Sequence, residues 1–245
     1  MPVPIISSTF AAGPWFYEIN HRLLALLFRL FPHTDARMNL AQFFIENHLV
    51  SGWLFAAACY VFWSIRDDRT GWRRAKILEA SAACITAAIL MLAVRPFIGG
   101  LPPSRAPEYQ QLFPPYLWDF GSGNSFPSHS TLVYLSMAAG LWPINRKISA
   151  ILCAWVFLAV SLPRVYIGGH YPTDVLGSIV IAAIALWAVW RLGATSWGAH
   201  LLDWLKSWGL WLELAMFLWL FELGEGFRST LEIAKFLIRH ALRMF

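Results

Sequence analysis

Five apolar stretches recur along the chain, each near the length that a bilayer-spanning helix needs. They lie at about 43–65, 75–94, 130–145, 148–163 and 175–190, and the third and fourth are short. A transmembrane helix requires about 20 predominantly apolar residues. The pattern therefore predicts an all-α, polytopic membrane helix bundle with about five to six spans.

One amphipathic segment lies near each end of the chain. Within 15–31, Glu18, Arg22 and Arg29 share one helical stripe, and the opposite face is apolar. The C-terminal segment places basic residues on one face in the same way: Arg228, Lys235, Arg239 and Arg243. Both segments are predicted to be helices lying in the membrane interface.

A sixth apolar stretch, 209–223, is short and carries Glu213 and Glu222. If this stretch crossed the membrane, the basic C-terminal segment would lie outside, against the positive-inside tendency. An interfacial or re-entrant segment is therefore favoured over a sixth span.

The composition excludes most soluble classes of protein. Of the 245 residues, 58% are apolar and 13% are charged, with a mean hydropathy of +0.54. So few charged side chains cannot coat the surface of a water-soluble fold of this size. The net charge of +5 comes from residues dispersed at the ends of apolar stretches, which indicates contact with lipid headgroups rather than with nucleic acid.

Basic residues indicate which loops face the cytoplasm. They follow the first and third predicted spans, at Arg66, Arg69, Arg73, Arg74, Lys76, Arg146 and Lys147. Asp67 and Asp68 fall in the first of these loops and are interpreted as solvated charges, so no metal site is predicted there. The opposite, outer face receives residues 95–127, a proline-rich segment with many apolar side chains that is predicted to pack as a lid.

Polar residues suited to phosphate chemistry gather at this outer face. His170 is followed four residues later by Asp174, with Pro172 between them. In that arrangement the carboxylate can accept a hydrogen bond from one ring nitrogen and leave the other as a nucleophile. Arg95, Arg164 and the helix N-terminus near Ser128 supply guanidinium groups and free N–H groups for phosphate oxygens.

These residues resemble the motifs of the type 2 phosphatidic acid phosphatase (PAP2) family, KxxxxxxRP, PSGH and SRxxxxxHxxxD. The matching residues are Arg95 and Pro96, Pro127 and Ser128, and Arg164, His170 and Asp174. Within the family the chain is most similar to the BcrC-type undecaprenyl diphosphatases. The resemblance covers a PAP2-like core in 40–192. The amphipathic patterns add an N-terminal interfacial helix in 1–39 and a hydrophobic, amphipathic extension in 193–245.

The chain departs from the family pattern at three positions. Ala88 stands where the motif has lysine, with Arg105 in the lid as a candidate substitute for phosphate binding, and Pro163 stands where it has serine. The second motif lacks the residue between serine and histidine. Without an alignment gap Ser130 occupies the general-acid position, and with one His129 does.

The resemblance implies a membrane lipid phosphatase without a metal or other cofactor, in which His170 forms a phosphohistidine. Its substrate would be a polyprenyl diphosphate or a related lipid phosphate, and its site would face the periplasm or cell exterior. Three alternatives stay open: a phosphatase of the phosphatidic acid or phosphatidylglycerophosphate type, a lipid phosphotransferase, and a non-catalytic lipid-phosphate binding or transport protein. Membrane lipids are the expected partners, and the sequence does not give the oligomeric state.

Overall fold

The computed structural model describes residues 14–65, 71–98, 100–117, 124–195, 200–201, 203–205 and 207–227. Every regular element in these ranges is helical, which confirms the all-α class. Asp67, Asp68 and the C-terminal amphipathic segment from Arg228 lie outside the described residues.

The helices are, in chain order, α1 (Pro14–Leu30), α2 (Asp35–Glu46), α3 (Leu54–Ser64), α4 (Trp72–Val94), α5 (His129–Gly140), α6 (Arg146–Trp155), α7 (Leu162–Tyr166), α8 (Pro172–Gly193) and α9 (Leu210–Gly224). A π-helical turn, Leu49–Trp53, leads into α3, and a second, Val156–Ser161, joins α6 to α7. Short 3-10 turns occupy Gln110–Leu112 and Pro115–Leu117.

Within the described residues, three helices are long and apolar enough to cross a membrane: Trp72–Val94, Arg146–Tyr166 and Pro172–Gly193. The first apolar stretch forms the shorter helix Leu49–Ser64, and α5 has only 12 residues. The expected count of five to six spans is thus not confirmed, although each of the five predicted stretches contains a helix.

Small side chains let the central helices α4, α5 and α8 pack closely. Ala80, Ala83 and Ala87 of α4 are fully buried. A side chain at Gly140 of α5 would lie only 2.4 Å from the Cβ of Ala80, so this contact requires glycine. Large apolar side chains point outward from the same bundle, as at Ile89, which is 61% exposed. Such an apolar exterior suits a lipid environment.

Helix α9 packs antiparallel along α3, and polar contacts hold both of its ends. Near its start, Glu213 accepts hydrogen bonds from Trp63 Nε1 at 2.6 Å and from Arg74 at 2.7 Å. Beyond its end, Glu225 accepts one from Trp53 Nε1 at 3.1 Å. Because Trp53 directly precedes α3 and Trp63 lies next to its last residue, α9 covers α3 over its full length.

Helices α1 and α2 form a second apolar cluster with the lid and the α7 region. Leu24 of α1 is fully buried there, together with Phe113 of the lid and Ile167. Asn20, also buried, donates a hydrogen bond from Nδ2 to Thr173 Oγ1 at 3.0 Å and thereby ties α1 to the start of α8. The N-terminal helix therefore supports the end of the bundle where α8 begins.

Candidate active site

The end of α4 and the starts of α5 and α8 meet at one end of the bundle. Arg95, directly after α4, donates to the carbonyl oxygen of Asn124 at 2.9 Å. His170, just before α8, contacts the carbonyl oxygen of Ser125 at 2.7 Å. The segment that precedes α5 therefore joins the other two elements.

His170 lies in the tight turn between α7 and α8. Gly168 in this turn has a φ of +79°, and a side chain there would lie 2.7 Å from the Phe113 ring. Glycine is needed at this position for both its backbone conformation and the space available. The N–H of Gly169 donates to the carbonyl of Arg164 at 2.8 Å, which completes the turn and fixes His170 relative to α7.

The contact with Ser125 determines the tautomer of the neutral His170 ring. A carbonyl oxygen can only accept a hydrogen bond, so Nδ1 carries the hydrogen. In the neutral ring the lone pair is then on Nε2, as nucleophilic attack requires. With 20% of its side chain exposed, His170 is largely but not completely covered.

Asp174 holds a different hydrogen bond from the one expected from its spacing. One of its carboxylate oxygens accepts the Tyr171 N–H at 2.8 Å, as part of a capping box at the start of α8. The same oxygen lies 3.6 Å from His170 Nδ1, within ion-pair range but beyond a hydrogen bond. The N–H of the residue before a helix has no partner within the helix, and an acidic side chain at the third helical position can accept its hydrogen bond. Asp174 thus acts on the ring through its negative charge.

Both predicted phosphate-binding arginines lie at this end of the bundle with donors to spare. Arg95 uses one terminal nitrogen for Asn124, and its buried Nε has no hydrogen-bond partner among the described residues. Arg164 donates from one terminal nitrogen to the carbonyl of Val160 at 2.8 Å. Since a guanidinium has five N–H donors, each arginine can bind an anion as well.

Ser128, fully buried, occupies the N-cap position of α5. Its Oγ accepts a hydrogen bond from Thr131 Oγ1 at 2.9 Å, and its carbonyl accepts one from Ser178 Oγ at 3.0 Å. The Ser128 side chain does not cap the helix. The first N–H groups of α5, which include those of His129 and Ser130, form the positive end of its dipole.

His129, the first residue of α5, precedes the apolar stretch 130–145. Burial lowers the pKa of His129, and the nearby guanidinium groups of Arg95 and Arg164 lower it further. The pKa of His129 thus responds to the charges of the two arginines that the motifs assign to phosphate binding. Ser130 follows on the same helix and is half-buried.

The lid lies directly over the His170 turn. The Ser104 N–H donates to the carbonyl of Gly168 at 3.1 Å, and Phe113 is buried in the cluster with α1 and α2. Arg105, next to Ser104, is half-buried. Packing of the lid is confirmed for its described residues 100–117.

Asn124 and the Ser125 carbonyl are the parts of the site that motif reasoning missed. Asn124 precedes the second motif and has no partner at a regular spacing. The sequence signal that was available is an amide side chain directly before the Ser125, Phe126, Pro127 run, since asparagine in a loop often bonds to the backbone two residues on. The Ser125 contact is made by the main chain, which every residue shares.

Comparisons with known proteins agree with the motifs. The model of the PAP2 superfamily matches residues 76–197, about half of the chain. Undecaprenyl-diphosphatase BcrC of Bacillus subtilis is 42% identical over 60 residues, which cover 24% of this chain and 31% of BcrC. Lipid A 1-diphosphate synthase of Escherichia coli is 32% identical over 66 residues, covering 26% of this chain and 28% of the synthase. The chain thus matches less than a third of the length of each of these relatives.

A solved structure supports the fold. The crystal structure of Aquifex aeolicus LpxE superimposes with a TM-score of 0.52 and 22% sequence identity, covering 71% of this chain and 95% of LpxE. The family match spans the end of α4 with Arg95, the start of α5 with Ser128, and the His170 turn with Asp174, which are the elements that meet at the site. The chain belongs to the PAP2 superfamily.

Proposed function

We propose that the chain is an integral membrane lipid phosphatase that hydrolyses a polyprenyl diphosphate, such as undecaprenyl diphosphate, through a phosphohistidine at His170. The observation that carries this proposal is the 2.7 Å contact between His170 Nδ1 and the carbonyl of Ser125. This contact leaves Nε2 with a lone pair, next to two arginines that can bind a phosphate.

The terminal phosphate of the substrate lies among Arg95, Arg164 and the first N–H groups of α5. The Arg95 Nε, which is buried with no partner in the described part of the chain, then gains an acceptor, which removes the cost of a desolvated donor. Arg105 in the lid is the candidate for a further contact. These fixed donors stabilise the charge on the three equatorial oxygens during transfer.

The reaction has two steps. Nε2 of His170 attacks the terminal phosphorus, so the N–P bond forms while the bond to the bridging oxygen breaks. The bridging oxygen keeps the electron pair and leaves as lipid monophosphate, and His129 donates a proton where one is needed. Water then attacks phosphorus and loses a proton to His129, and cleavage of the N–P bond releases inorganic phosphate and restores His170. The charge of Asp174 stabilises the positive ring in both steps.

The surface near the site suits a lipid tail. Phe97, two residues after Arg95, is 79% exposed, and Leu92 of α4 is 62% exposed. Leu176, two residues after Asp174 on α8, is 55% exposed. A long apolar chain lying along these side chains would remain in the bilayer while its phosphate reaches His170. With the basic loops after the first and third predicted spans in the cytoplasm, the substrate would enter from the outer leaflet of a multi-pass protein of the cell membrane.

The names of the two relatives suggest two acceptors for the same phosphoryl group. One is named a diphosphatase, in which water is the acceptor, and the other a diphosphate synthase. A phosphohistidine can pass its phosphoryl group to water or to another lipid. Hydrolysis is the proposal, and transfer is the alternative that the experiment must distinguish.

The test uses the full-length protein purified in detergent, with undecaprenyl diphosphate, phosphatidic acid and phosphatidylglycerophosphate as separate substrates. We expect inorganic phosphate from undecaprenyl diphosphate, with one ¹⁸O atom from labelled water, and loss of activity in His170→Ala. His200→Ala, at an exposed histidine outside the site, is the control. Phosphate that appears on an added lipid acceptor would indicate a transferase, and binding without turnover would indicate a carrier.

A further inference from the structure

Asn124, a half-buried residue outside the family motifs, uses both ends of its side-chain amide. Its Nδ2 donates to the carbonyl of Arg95 at 2.9 Å. Its Oδ1 accepts from the N–H of Phe126 at 2.9 Å and from the N–H of Gly100 at 3.3 Å. Three separate points of the site backbone are thus joined to one side chain.

Arg95 and Asn124 form a reciprocal pair. The guanidinium of Arg95 donates to the main-chain carbonyl of Asn124 at 2.9 Å, while the Asn124 amide donates to the main-chain carbonyl of Arg95. Two hydrogen bonds in opposite directions fix the guanidinium relative to its own backbone. The remaining N–H groups of Arg95 then have a defined direction before any ligand binds.

Asn124 also holds the peptide that contacts His170. Its Oδ1 bonds to the Phe126 N–H and so spans Ser125, and the Ser125 N–H donates to the carbonyl of Gly100 at 2.9 Å. The Ser125 carbonyl, held between these bonds, accepts the Nδ1 hydrogen of His170. Movement of this peptide would change the orientation of the ring.

We infer that Asn124 is a positioning residue that sets the geometry between Arg95, which binds phosphate, and His170, which attacks it. The inference rests on the proposed function, which assigns those two roles. An asparagine suits the position because its amide combines a donor and an acceptor on one short, neutral side chain. Serine has too short a reach to the Arg95 carbonyl, and aspartate has no N–H to donate.

The experiment compares Asn124→Ala with Asn145→Ala in the full-length protein in detergent. Asn145 is a matched control because its Oδ1 also accepts a backbone N–H, that of Ile148, at the opposite end of α5. Binding of inorganic phosphate is measured by calorimetry, and turnover of undecaprenyl diphosphate is measured alongside. We expect Asn124→Ala to weaken phosphate binding and to lower kcat/KM by about tenfold each, as loss of positioning hydrogen bonds would do, and Asn145→Ala to change neither.

A double-mutant cycle tests whether Asn124 acts through Arg95. In an Arg95→Ala background, removal of the Asn124 side chain should weaken phosphate binding much less than in the wild type, because the group that it positions is absent. A purely structural role would give the same loss in both backgrounds and would overturn the inference. If Asn124→Ala fails to fold, Asn124→Ser replaces it, since the hydroxyl can still accept the Phe126 N–H but cannot reach the Arg95 carbonyl.

The binding measurement separates this inference from the proposed function. A wild-type protein that binds phosphate but releases none from any lipid would contradict the proposed function, and the cycle would still test Asn124. Equal phosphate binding by the wild type and Asn124→Ala would overturn the positioning role even if the wild type is an active phosphatase. If the wild type releases phosphate from the lipid but binds no free phosphate, the proposed function stands, and equal kcat/KM values for the wild type and Asn124→Ala would overturn the positioning role.

Discussion

The Nδ1 atom of His170 lies 2.7 Å from the main-chain carbonyl oxygen of Ser125. The carboxylate that follows in the motif, that of Asp174, lies at 3.6 Å and accepts the Tyr171 N–H. A single carboxylate can both orient a histidine ring and supply negative charge, but here two different groups have these functions. The carbonyl sets the tautomer and the direction of the ring, and the carboxylate supplies negative charge.

This division predicts a moderate effect for Asp174→Asn. Where a carboxylate alone orients a catalytic histidine, its replacement by an amide favours the wrong tautomer and costs about 10⁴ in kcat. Here Ser125 still accepts the Nδ1 hydrogen, and the new amide oxygen can still accept the Tyr171 N–H. We expect a loss of about 10- to 100-fold in kcat, mainly from the missing charge, measured as phosphate release from undecaprenyl diphosphate.

Asp35→Asn, at the first residue of α2, is the control for loss of an acidic residue from a helix start. It should leave kcat unchanged. A loss for Asp174→Asn as complete as that of His170→Ala would contradict the orienting role of the Ser125 carbonyl.

A second prediction concerns the contact between Gly177 and Phe126. A side chain at Gly177 of α8 would lie 2.3 Å from the Phe126 ring. Gly177→Ala must therefore displace the Phe126 ring, and we expect the adjoining Ser125 carbonyl to shift with it. Overpacking of this kind costs about 1–3 kcal/mol, and we expect kcat/KM for undecaprenyl diphosphate to fall about tenfold or more.

Gly193→Ala is the matched control, at the other end of the same helix. There the nearest atom would be a carboxylate oxygen of Glu79 at 3.0 Å, and a small shift of this oxygen leaves the other one bonded to Lys76 at 2.7 Å. Its kcat/KM should stay near the wild-type value. Similar losses in the two variants would show that the effect arises from α8 in general and not from Phe126.

The sequence predicted the helices well where hydropathy alone decides their extent. The stretches 75–94 and 175–190 correspond to α4 and α8, each extended by a few residues. The first stretch, 43–65, is instead divided at Asn47, whose Oδ1 accepts the N–H groups of Leu49 and Val50. Such a side-chain bond ends a helix without altering the average hydropathy, so a search for apolar stretches does not detect it.

For the site, residue spacing predicted which side chains converge but not which atoms hold them. Arg95 and His170, which belong to separate motifs, are joined through the main-chain carbonyls of the neighbouring residues Asn124 and Ser125. The acceptor of the His170 hydrogen is a main-chain carbonyl, a group present at every position. Only the path of the folded chain brings the carbonyl of Ser125 to this ring.

A third prediction concerns the topology of α9, for which an interfacial or re-entrant segment was favoured. We predict instead that α9, although only 15 residues long, crosses together with α3, because antiparallel packing puts Glu225 beside Trp53 at the start of α3. Since the basic loop follows the other end of α3, Glu225 would then lie on the outer side. With native Cys153 replaced by alanine, Glu225→Cys and Gly100→Cys should react with an impermeant maleimide added outside the cell. Ser207→Cys, at an exposed residue before α9, should react only after permeabilisation.

Gly100→Cys serves as the outer reference, because a side chain there has no other atom within 4 Å. If Glu225→Cys reacted only after permeabilisation, as Ser207→Cys is expected to do, α9 would not cross. If Gly100→Cys reacted only after permeabilisation and Ser207→Cys reacted from outside the cell, the active site would lie in the cytoplasm. The substrate could then not come from the outer leaflet.

The lowered pKa of His129 affects the choice between monoesters and diphosphates. A histidine acts as a general acid only in its protonated form, which is populated below its pKa. Burial and the neighbouring guanidinium groups of Arg95 and Arg164 lower that pKa from the ordinary 6.5, so the neutral form dominates in the free protein at pH 7. A monoester must expel a lipid alkoxide, which needs a proton. A diphosphate expels a lipid monophosphate, whose last pKa of about 6 lets it leave without one.

We therefore predict that undecaprenyl diphosphate is hydrolysed much faster than phosphatidic acid or phosphatidylglycerophosphate at pH 7. In a matched comparison of undecaprenyl phosphate with undecaprenyl diphosphate, the ratio of monoester to diphosphate kcat/KM should rise as the pH falls towards the pKa of His129, because more of the acid is then protonated. His129→Ala should lower monoester turnover about tenfold more than diphosphate turnover and abolish the pH dependence of the ratio. Equal losses on the two lipids, or a ratio in the wild type that does not change with pH, would contradict the role of His129 as the general acid.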